Sequence, residues 1–376
     1  MTNLSFNQEF CPQDVECEQL SPLKSQTPST MLPLRHRTNV ERQLNRHAST
    51  VLIGGVFLTL CGLLFLTMCR MPCEDKTYAI KMDEHAISRS KAFWEKHPFA
   101  PSRDLKCFLV ILVISGVNNR HQRNTIRETW MSDAPADLVL TKFVIGTNDL
   151  AEEVKRNIER EQFSHNDLLL LNGLTESYKN LTTKLVHSLQ WVDRTVDYKF
   201  LLKVDDDSYV RVDQLLKELP LKPSERLYWG FFDGRAHVKK SGKWAEKGWF
   251  LCDRYLPYAL GGGYILSNDL VHYVSTNSKY LQEYLSEDVS LGAWLAPLRV
   301  ERIHDERFDT EFVSRGCRNS YLITHKQDPM AMQALHGNLH KSGRLCSKEF
   351  MRRESYKYNW TVLPSQCCAR NPKILQ

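Results

Sequence analysis

The chain has 376 residues, of which 42% are hydrophobic and 25% charged, and its formal net charge is +6. This is an ordinary globular composition with enough length for one large or two ordinary domains. The mild basic charge suits anionic substrates such as nucleotides or acidic glycans. The charge is too diffuse to indicate a nucleic-acid partner. The sequence also contains no helix-turn-helix, zinc finger or repeat of basic and aromatic residues.

The N-terminal third carries one long apolar segment. Residues 1–50 are polar and contain several prolines, which predicts a disordered cytosolic tail. Residues 51–69 (VLIGGVFLTLCGLLFLTMC) carry no charge and are long enough to span a bilayer. Four arginines precede this segment closely and one follows it, so the positive-inside bias predicts a type II signal anchor. A cleaved signal peptide is the weaker alternative, because its polar n-region would be far shorter than residues 1–50.

Residues 70–104 are charged and predict a stem that holds a lumenal domain, residues 105–370, away from the membrane. Seven of the eleven cysteines lie beyond the apolar segment, which suits an oxidising compartment. Their connectivity is open. The odd number leaves one cysteine free, and Cys73 in the stem is one candidate. Asn359 begins a glycosylation sequon, and Asn180 fits the same pattern.

Strands alternate with helices in the first half of the lumenal domain. Buried strands are expected at residues 108–114, 142–146, 167–171 and 198–204, and helices at residues 123–131, 152–162 and 181–192. This alternation predicts an α/β fold with a mostly parallel central sheet. Ligands of such folds gather at the carboxyl ends of the strands.

Three consecutive aspartates, Asp205, Asp206 and Asp207, follow the fourth of these strands. Carboxylates crowded in this way repel one another unless a cation lies among them, and their oxygens suit Mg²⁺ or Mn²⁺. The alternative is a turn or a helix N-cap, which the following Ser208 also fits. Aromatic residues between positions 229 and 258 have two open interpretations as well: core packing, or a platform for sugar rings.

Five segments together resemble the signature motifs of the beta-1,3-glycosyltransferases, and they occur in the order of that family. They are residues 123–130 (RNTIRETW), 176–184 (ESYKNLTTK), 203–207 (KVDDD), 258–264 (YALGGGY) and 286–289 (SEDV). One such motif is weak, whereas five in order are highly specific. Within the family, further segments are similar to the galactosyltransferases that build the glycosaminoglycan linker. They are residues 229–235 (WGFFDGR), 256–264 (LPYALGGGY), 286–297 (SEDVSLGAWLAP), 304–311 (HDERFDTE) and 364–368 (PSQCC).

The resemblance implies a GT-A-like nucleotide-sugar-binding fold and a type II enzyme of the Golgi membrane. It implies Mn²⁺ as cofactor and UDP-galactose as donor. The implied acceptor is the galactosyl-xylose primer on a proteoglycan core protein, and complexes with other Golgi glycosyltransferases are a further implied partnership. The tail of residues 1–50 departs from the family, in which tails are usually short.

The resemblance also implies roles for individual residues. The implied metal ligands are Asp207, Asp205 and His325. The implied contacts to the donor nucleotide and sugar are Arg123, Arg127, Tyr178, Asn180, Lys184, Lys203, Asp205, Asp206, Gly262 and Gly263. Each has a simpler alternative: an ordinary surface ion pair for the arginines, a structural role for the histidine, and a loop for the glycines.

An α-linked donor that yields a β product reacts with inversion, which requires a base on the acceptor hydroxyl. We expect Asp288 to be this base, with Glu287 as the second choice. The simpler alternative places both acids in the first turn of a helix with Ser286 as N-cap. The alternatives within the family are transfer of N-acetylglucosamine or N-acetylgalactosamine, and galactose transfer to glycoprotein or glycolipid glycans. A metal phosphohydrolase is disfavoured, because the additional His and Asp ligands of a second metal are not found. A non-catalytic lectin is disfavoured because Asp207 and Asp288 are both present.

Overall fold

The computed structural model describes residues 105–370. The predicted tail, membrane anchor and stem lie outside the described residues. Between residues 105 and 370, no helix combines the length and apolarity that crossing a membrane requires.

A seven-stranded sheet forms the centre of the described fold. Its strands are β2 (Leu109–Ile114), β3 (Val139–Asn148), β4 (Leu168–Thr175), β6 (Phe200–Asp205), β8 (Leu227–Asp233), β9 (Tyr258–Ser267) and β10 (Glu301–His304). Their order is β10-β8-β9-β6-β2-β3-β4, and only β9 runs antiparallel to its two neighbours. The predicted mostly parallel sheet is therefore confirmed. Every residue of β2 is buried, as expected of a strand covered on both faces.

Seven helices connect and cover the strands within residues 105–370. They are α1 (Arg120–Glu128), α2 (Glu152–His165), α3 (Leu181–Thr195), α4 (Val212–Glu218), α5 (Asn268–Asn277), α6 (Glu287–Leu295) and α7 (Pro329–Ser342). The first three match the helices expected from sequence, and their ends differ by three residues at most. Ser286 occupies the N-cap position of α6 without a side-chain capping hydrogen bond, and Glu287 and Asp288 lie in the first turn. The simpler interpretation of residues 286–288 is therefore confirmed.

A small three-stranded sheet brings the C-terminal part of the chain to the aspartates. It contains β7 (Tyr209–Val210), β11 (Phe308–Asp309) and β13 (Ile323–Thr324), and β13 pairs with both of the others. Thr324 lies opposite Tyr209 in this pairing. The residue after Thr324 and the residues before Tyr209 are therefore held close together, more than a hundred positions apart in sequence.

The remaining strands are short. They are β1 (Leu105–Lys106), β5 (Val196–Asp197), β12 (Gly316–Cys317) and β14 (Phe350–Met351). A disulfide joins Cys317 to Cys346, and a second joins the neighbours Cys367 and Cys368. Among the described residues, Cys107 and Cys252 are unpaired, so more than one cysteine is free, contrary to expectation. Cys73 lies outside the described range.

The aromatic residues of the second half divide between the two interpretations. Trp229 is fully buried in β8 and belongs to the core. Trp249 packs against Tyr255 and Tyr284, with ring centroids 5.1 and 4.8 Å apart. Trp244 remains 46% exposed. The density of aromatics here is therefore mainly a packing feature.

Candidate active site

Acidic and polar side chains meet at the carboxyl ends of β2 and β6. These strands run parallel, and their register places Ile114 opposite Asp205 at the shared edge. The chain turns immediately afterwards, with the Ser208 amide donating to the Asp205 carbonyl at 3.2 Å. The expected turn is thus present, and it presents the three aspartates at one end of the sheet.

Asp205, Asp207 and His325 form a cluster whose side-chain atoms could hold one cation. His325 Nε2 lies 2.9 Å from Asp207 Oδ1 and 3.4 Å from Asp205 Oδ2. Ligand atoms around an octahedral ion with bonds near 2.1 Å are about 3.0 Å apart, so these separations suit Mg²⁺ or Mn²⁺. The structure therefore brings all three predicted metal ligands together.

The ring of His325 is oriented for ligation. Its Nδ1 lies 3.2 Å from the Glu311 carbonyl, which can only accept, so Nδ1 is the donor and Nε2 is the nitrogen that would bind a metal in exchange for its proton. Nε2 is buried and has no partner with hydrogen-bond geometry, although both carboxylates are near. Burial lowers the pKa of His325, but the two carboxylates outweigh it and raise the pKa to about 9. A cation is thus favoured at this position, which fits a divalent metal.

Asp206 faces away from the cation cluster. Its Oδ2 accepts hydrogen bonds from Ser115 Oγ at 2.7 Å and from Asn119 Nδ2 at 2.8 Å. Burial raises its pKa despite these bonds. These contacts fix the aspartate turn against the end of β2.

Lys203 is fully buried and connects the metal cluster to helix α6. Its Nζ donates to Asp205 Oδ1 at 2.8 Å, to Glu287 Oε1 at 2.7 Å and to the Gly261 carbonyl at 2.6 Å. Burial opposes the charge of this lysine, but the two carboxylates outweigh it and hold its pKa above the usual value. All three protons of the ammonium have partners, so Lys203 fixes Asp205, Glu287 and the β9 backbone relative to one another.

Asp288 stands apart from that ion pair. Its Oδ2 accepts from the Gly261 amide at 2.9 Å and its Oδ1 from the Val289 amide at 2.8 Å. Burial and the neighbouring Glu287 raise its pKa to about 7. A carboxylate with this pKa can take up a proton near neutral pH, whereas the Glu287 carboxylate is engaged by a buried lysine.

The glycines of β9 are required by close packing within the protein. A Cβ at Gly262 would lie 2.6 Å from His325 Nδ1, and one at Gly263 would lie 2.9 Å from Ile323 Cδ1. A Cβ at Gly261 would lie 2.6 Å from Glu287 Oε1. Strand β9 therefore passes directly between the metal cluster and the acids of α6.

Arg123 and Arg127 pair with carboxylates of their own. Arg123 is fully buried and binds Glu161, with 2.7 Å between Nη2 and Oε2. Arg127 binds Asp167 and Glu161 at 2.7 and 2.8 Å. Burial opposes the charge of Arg127, but these two carboxylates raise its pKa. Both arginines therefore form ion pairs, as the simpler alternative expects, but these pairs are buried rather than on the surface. Arg123 has no exposed surface with which to bind the nucleotide directly.

Tyr178, Asn180 and Lys184 lie at or beneath the same edge of the sheet. Tyr178 Oη is 3.4 Å from Ser286 Oγ, and burial raises its pKa to about 12. Asn180 Nδ2 donates to the Thr175 carbonyl at 2.9 Å. Lys184 is buried and binds Glu176 at 2.6 Å. Tyr178 therefore faces the acids of α6, while the other two support the loop around it.

Several residues of the site were not identified from sequence. Lys326 Nζ binds Asp207 Oδ2 at 2.8 Å, and Trp130 Nε1 donates to the Ser208 carbonyl at 3.1 Å. Ser115 and Asn119 hold Asp206. The polar residues that follow β2 were a usable signal, because the ends of adjacent parallel strands meet. Lys326 carries no such signal, since only the β13–β7 pairing brings it to Asp207.

The family model described as Galactosyltransferase matches residues 121–306. Mouse beta-1,3-galactosyltransferase 6 is 45% identical over 342 residues, covering 89% of this chain and 99% of that protein. UDP-GalNAc:beta-1,3-N-acetylgalactosaminyltransferase 2 of Xenopus laevis is 30% identical over 51% of this chain and 39% of its own length.

A solved mannosyltransferase of Pyrobaculum calidifontis, in complex with GDP-Man and Mn²⁺, has a TM-score of 0.32 and 12% identity, with 58% of this chain and 60% of that chain covered. The match to the family model and the similarity to nearly the whole mouse protein show the family of this chain. The chain is a hexosyltransferase and belongs to the galactosyltransferase family.

Proposed function

We propose that the protein is an inverting, metal-dependent galactosyltransferase. It would move galactose from UDP-galactose, in β-1,3 linkage, onto the galactosyl-xylose primer of proteoglycan core proteins. The observation that carries this proposal is the arrangement around β9. Gly262 packs on His325, which forms with Asp205 and Asp207 a cluster that suits a divalent cation. The amide of the adjacent Gly261 donates to Asp288, whose pKa is raised to about 7.

The metal cluster is assigned to the donor diphosphate. Asp207, Asp205 and His325 would hold Mn²⁺, which when bound neutralises the charge of the leaving diphosphate. Lys203 fixes Asp205 from the protein side, and Lys326 does the same for Asp207 from the solvent side. In this proposal the architecture is the GT-A-like nucleotide-sugar-binding fold, with Tyr178 on the donor side of the site.

Asp288 is assigned as the base. Its carboxylate accepts the proton of the acceptor hydroxyl as that oxygen attacks the anomeric carbon on the face opposite the diphosphate. Oδ2 is held by a β9 amide and Oδ1 by an α6 amide, so the carboxylate is oriented before the acceptor arrives. Glu287 supports it by binding Lys203 rather than by taking the proton.

The acceptor and the location rest on similarity and sequence. The mouse relative named as beta-1,3-galactosyltransferase 6 is similar over nearly its whole length. The apolar segment at residues 51–69 supports a type II anchor with the enzyme in the Golgi lumen. Complexes with other Golgi glycosyltransferases belong to the same proposal. Transfer of N-acetylgalactosamine is a second candidate, because a relative named for that donor is also similar.

A transfer assay with the full-length chain in detergent tests the chemistry. UDP-galactose, UDP-N-acetylglucosamine and UDP-N-acetylgalactosamine are each offered with Mn²⁺, against a galactosyl-xyloside and unrelated acceptors. We expect turnover with UDP-galactose and the galactosyl-xyloside alone, and loss of turnover with a chelator or in Asp207→Ala. Equal turnover in the presence of chelator would contradict the metal mechanism, and preference for another donor would contradict galactose transfer.

A separate experiment tests the location. The chain carrying a C-terminal epitope is expressed in animal cells, and its position is compared with a Golgi marker. Protease added to sealed vesicles should leave the epitope intact and digest it only after detergent. Digestion without detergent would contradict the lumenal orientation, and it would leave the conclusion of the transfer assay unchanged.

A further inference from the structure

We propose that Asp133, His336 and His340 form a second metal site that binds Zn²⁺. The two histidines lie four residues apart on α7 and therefore on one face of the helix. Their ring centroids are 4.3 Å apart. Asp133 lies in the segment that follows α1 and faces both rings, so the three side chains converge from two separate elements.

The distances suit a tetrahedral ion. His340 Nε2 lies 3.2 Å from Asp133 Oδ1, and His336 Nδ1 lies 3.7 Å from Asp133 Oδ2. One ligand atom from each of the three residues falls within 4.8 Å of the other two. Zinc bonds of 2.0–2.2 Å in a tetrahedron place ligand atoms about 3.3 Å apart. A cation among these three atoms therefore requires only small side-chain movements.

The ligand types select zinc over the metal proposed for the active site. Two imidazoles and one carboxylate suit Zn²⁺, whereas carboxylate-rich sites suit Mg²⁺ or Mn²⁺. Three protein ligands leave the fourth position to water. The Tyr209 hydroxyl lies 3.2 Å from His336 Nδ1, the same nitrogen that faces Asp133, so this contact must be released when Nδ1 binds the metal.

The alternative is a plain ion pair between a histidine and an aspartate. The chain contains such a pair in His272 and Asp193, with 3.1 Å between Nδ1 and Oδ1. The side chains of His272 and His340 are both 57% exposed. The two clusters differ in the second histidine. His336 offers a third metal ligand beside Asp133 and His340, and its side chain is only 17% exposed. This makes the His272 pair a matched control.

A metal here would fasten α7 to the body of the fold. Asp133 lies three residues after Trp130, whose indole is bonded to the Ser208 carbonyl. Tyr209, which contacts His336, is the next residue along the aspartate turn. Zinc at Asp133, His336 and His340 would thus hold α7 against the back of that turn, and its expected role is stabilisation of the C-terminal part of the domain.

Metal titration of the untagged full-length chain in detergent tests the site, in an Asp207→Ala background that disables the first cluster. After removal of metal by a chelator, Zn²⁺ is expected to bind once per chain and to raise the unfolding temperature by roughly 5 °C at saturation. Co²⁺ should give the intense visible absorption of a tetrahedral complex. His340→Ala should weaken Zn²⁺ binding at least tenfold, and His272→Ala should leave it unchanged.

Asp133→Asn keeps the shape of the aspartate and removes its charge, so it tests the site if His340→Ala folds poorly. The unfolding temperature without metal identifies a variant that is merely unstable. Zinc affinity that is the same in Asp133→Asn, His336→Ala and the parent would overturn the proposal, as would the absence of zinc binding in the parent. Neither donor nor acceptor enters the experiment, so its failure is distinct from failure of the proposed transferase reaction.

Discussion

The side chains of Lys203 and Glu287 form a buried ion pair between β6 and α6, with 2.7 Å between Nζ and Oε1. Neither side chain is more than 6% exposed. The same ammonium binds Asp205, so one lysine connects a proposed metal ligand to the acidic turn that contains the proposed base. The pair engages Glu287 and leaves its neighbour Asp288 without a cationic partner, which distinguishes two adjacent acids that look equivalent in sequence.

Asp288→Asn should reduce kcat by about 100-fold or more, because the amide cannot accept a proton. The substitution keeps the size of the side chain, so binding of UDP measured by calorimetry should change little. Glu153→Gln is a matched control, since Glu153 also lies in the first turn of a helix but is exposed. If the control loses as much activity as Asp288→Asn, the role of Asp288 is that of a helix-terminal charge.

The rate should rise with pH through about 7. Burial and Glu287 raise the pKa of Asp288 to about 7, and only the deprotonated carboxylate serves as base. Below pH 7, kcat should fall about tenfold per pH unit, and above it the rate should reach a plateau. A profile for the wild-type chain that is flat between pH 5.5 and 8 would remove Asp288 from this role.

The contribution of Asp288 to the free energy of unfolding should fall as pH rises, over the range in which the rate rises. The pKa of Asp288 is higher in the folded state than the ordinary value of 3.8. Between these two values the folded state holds a proton that the unfolded state has lost, so this contribution to stability is full at low pH and falls as pH rises to about 7. In Asp288→Asn, denaturant unfolding should lack this component of the pH dependence.

Lys203→Met should lower the free energy of unfolding by about 3–5 kcal/mol, because it leaves the buried carboxylate of Glu287 without its cation and removes one of the two positive neighbours of Asp205. Lys199→Met, at an exposed position nearby in the chain, should have little effect. The double variant Lys203→Met/Glu287→Gln should recover part of the loss by removing one unpaired charge. Denaturant titration measures all three, and a double variant that is less stable than Lys203→Met would contradict this explanation.

Gly262→Ala should weaken metal binding. The added Cβ would lie 2.6 Å from His325 Nδ1 and 2.7 Å from its Cγ, so the ring must move away from Asp205 and Asp207. We expect the Mn²⁺ concentration for half-maximal activity to rise about tenfold or more. Gly173→Ala is the control, because no atom lies within 4 Å of a Cβ at that position. Equal effects of the two variants would mean that the contact with His325 is unimportant.

Arg123→Ala should act on stability rather than on nucleotide affinity. Its guanidinium is buried against Glu161, and removing it leaves that carboxylate with one cation fewer, at a cost of about 3–5 kcal/mol. Arg120→Ala removes a side chain that is 51% exposed and 3.9 Å from the same glutamate, so it should cost little. A weaker UDP affinity in Arg123→Ala, with unchanged unfolding, would restore the nucleotide-binding role implied by the family resemblance.

Local pattern predicted the first half of the domain well. The apolar run before Asp205, the strand at residues 109–114 and the helix that begins at Leu181 are long and strongly patterned, so their type follows from burial alone. The end of a parallel strand is also a general place for ligands, so the position of Asp205 and Asp207 after a strand indicates a binding site. The same reasoning failed for Arg123, because its spacing from Arg127 does not reveal that Glu161 and Asp167 meet them.

The sequence alone therefore determined the main elements of the first half of the domain, the family and the acids at the end of β6, because each depends on short runs of residues that are neighbours in the chain. Only the tertiary structure decided which of those groups act together. The pairing of β13 with β7 brings His325 to Asp207. The packing of α6 against β9 brings Glu287 to Lys203, whereas Asp288 accepts hydrogen bonds from the backbone amides of Gly261 and Val289. The contacts of His325 with Asp207 and of Lys203 with Glu287 join residues 118 and 84 positions apart. The charges of these groups depend on burial and on their partners, which no local pattern records.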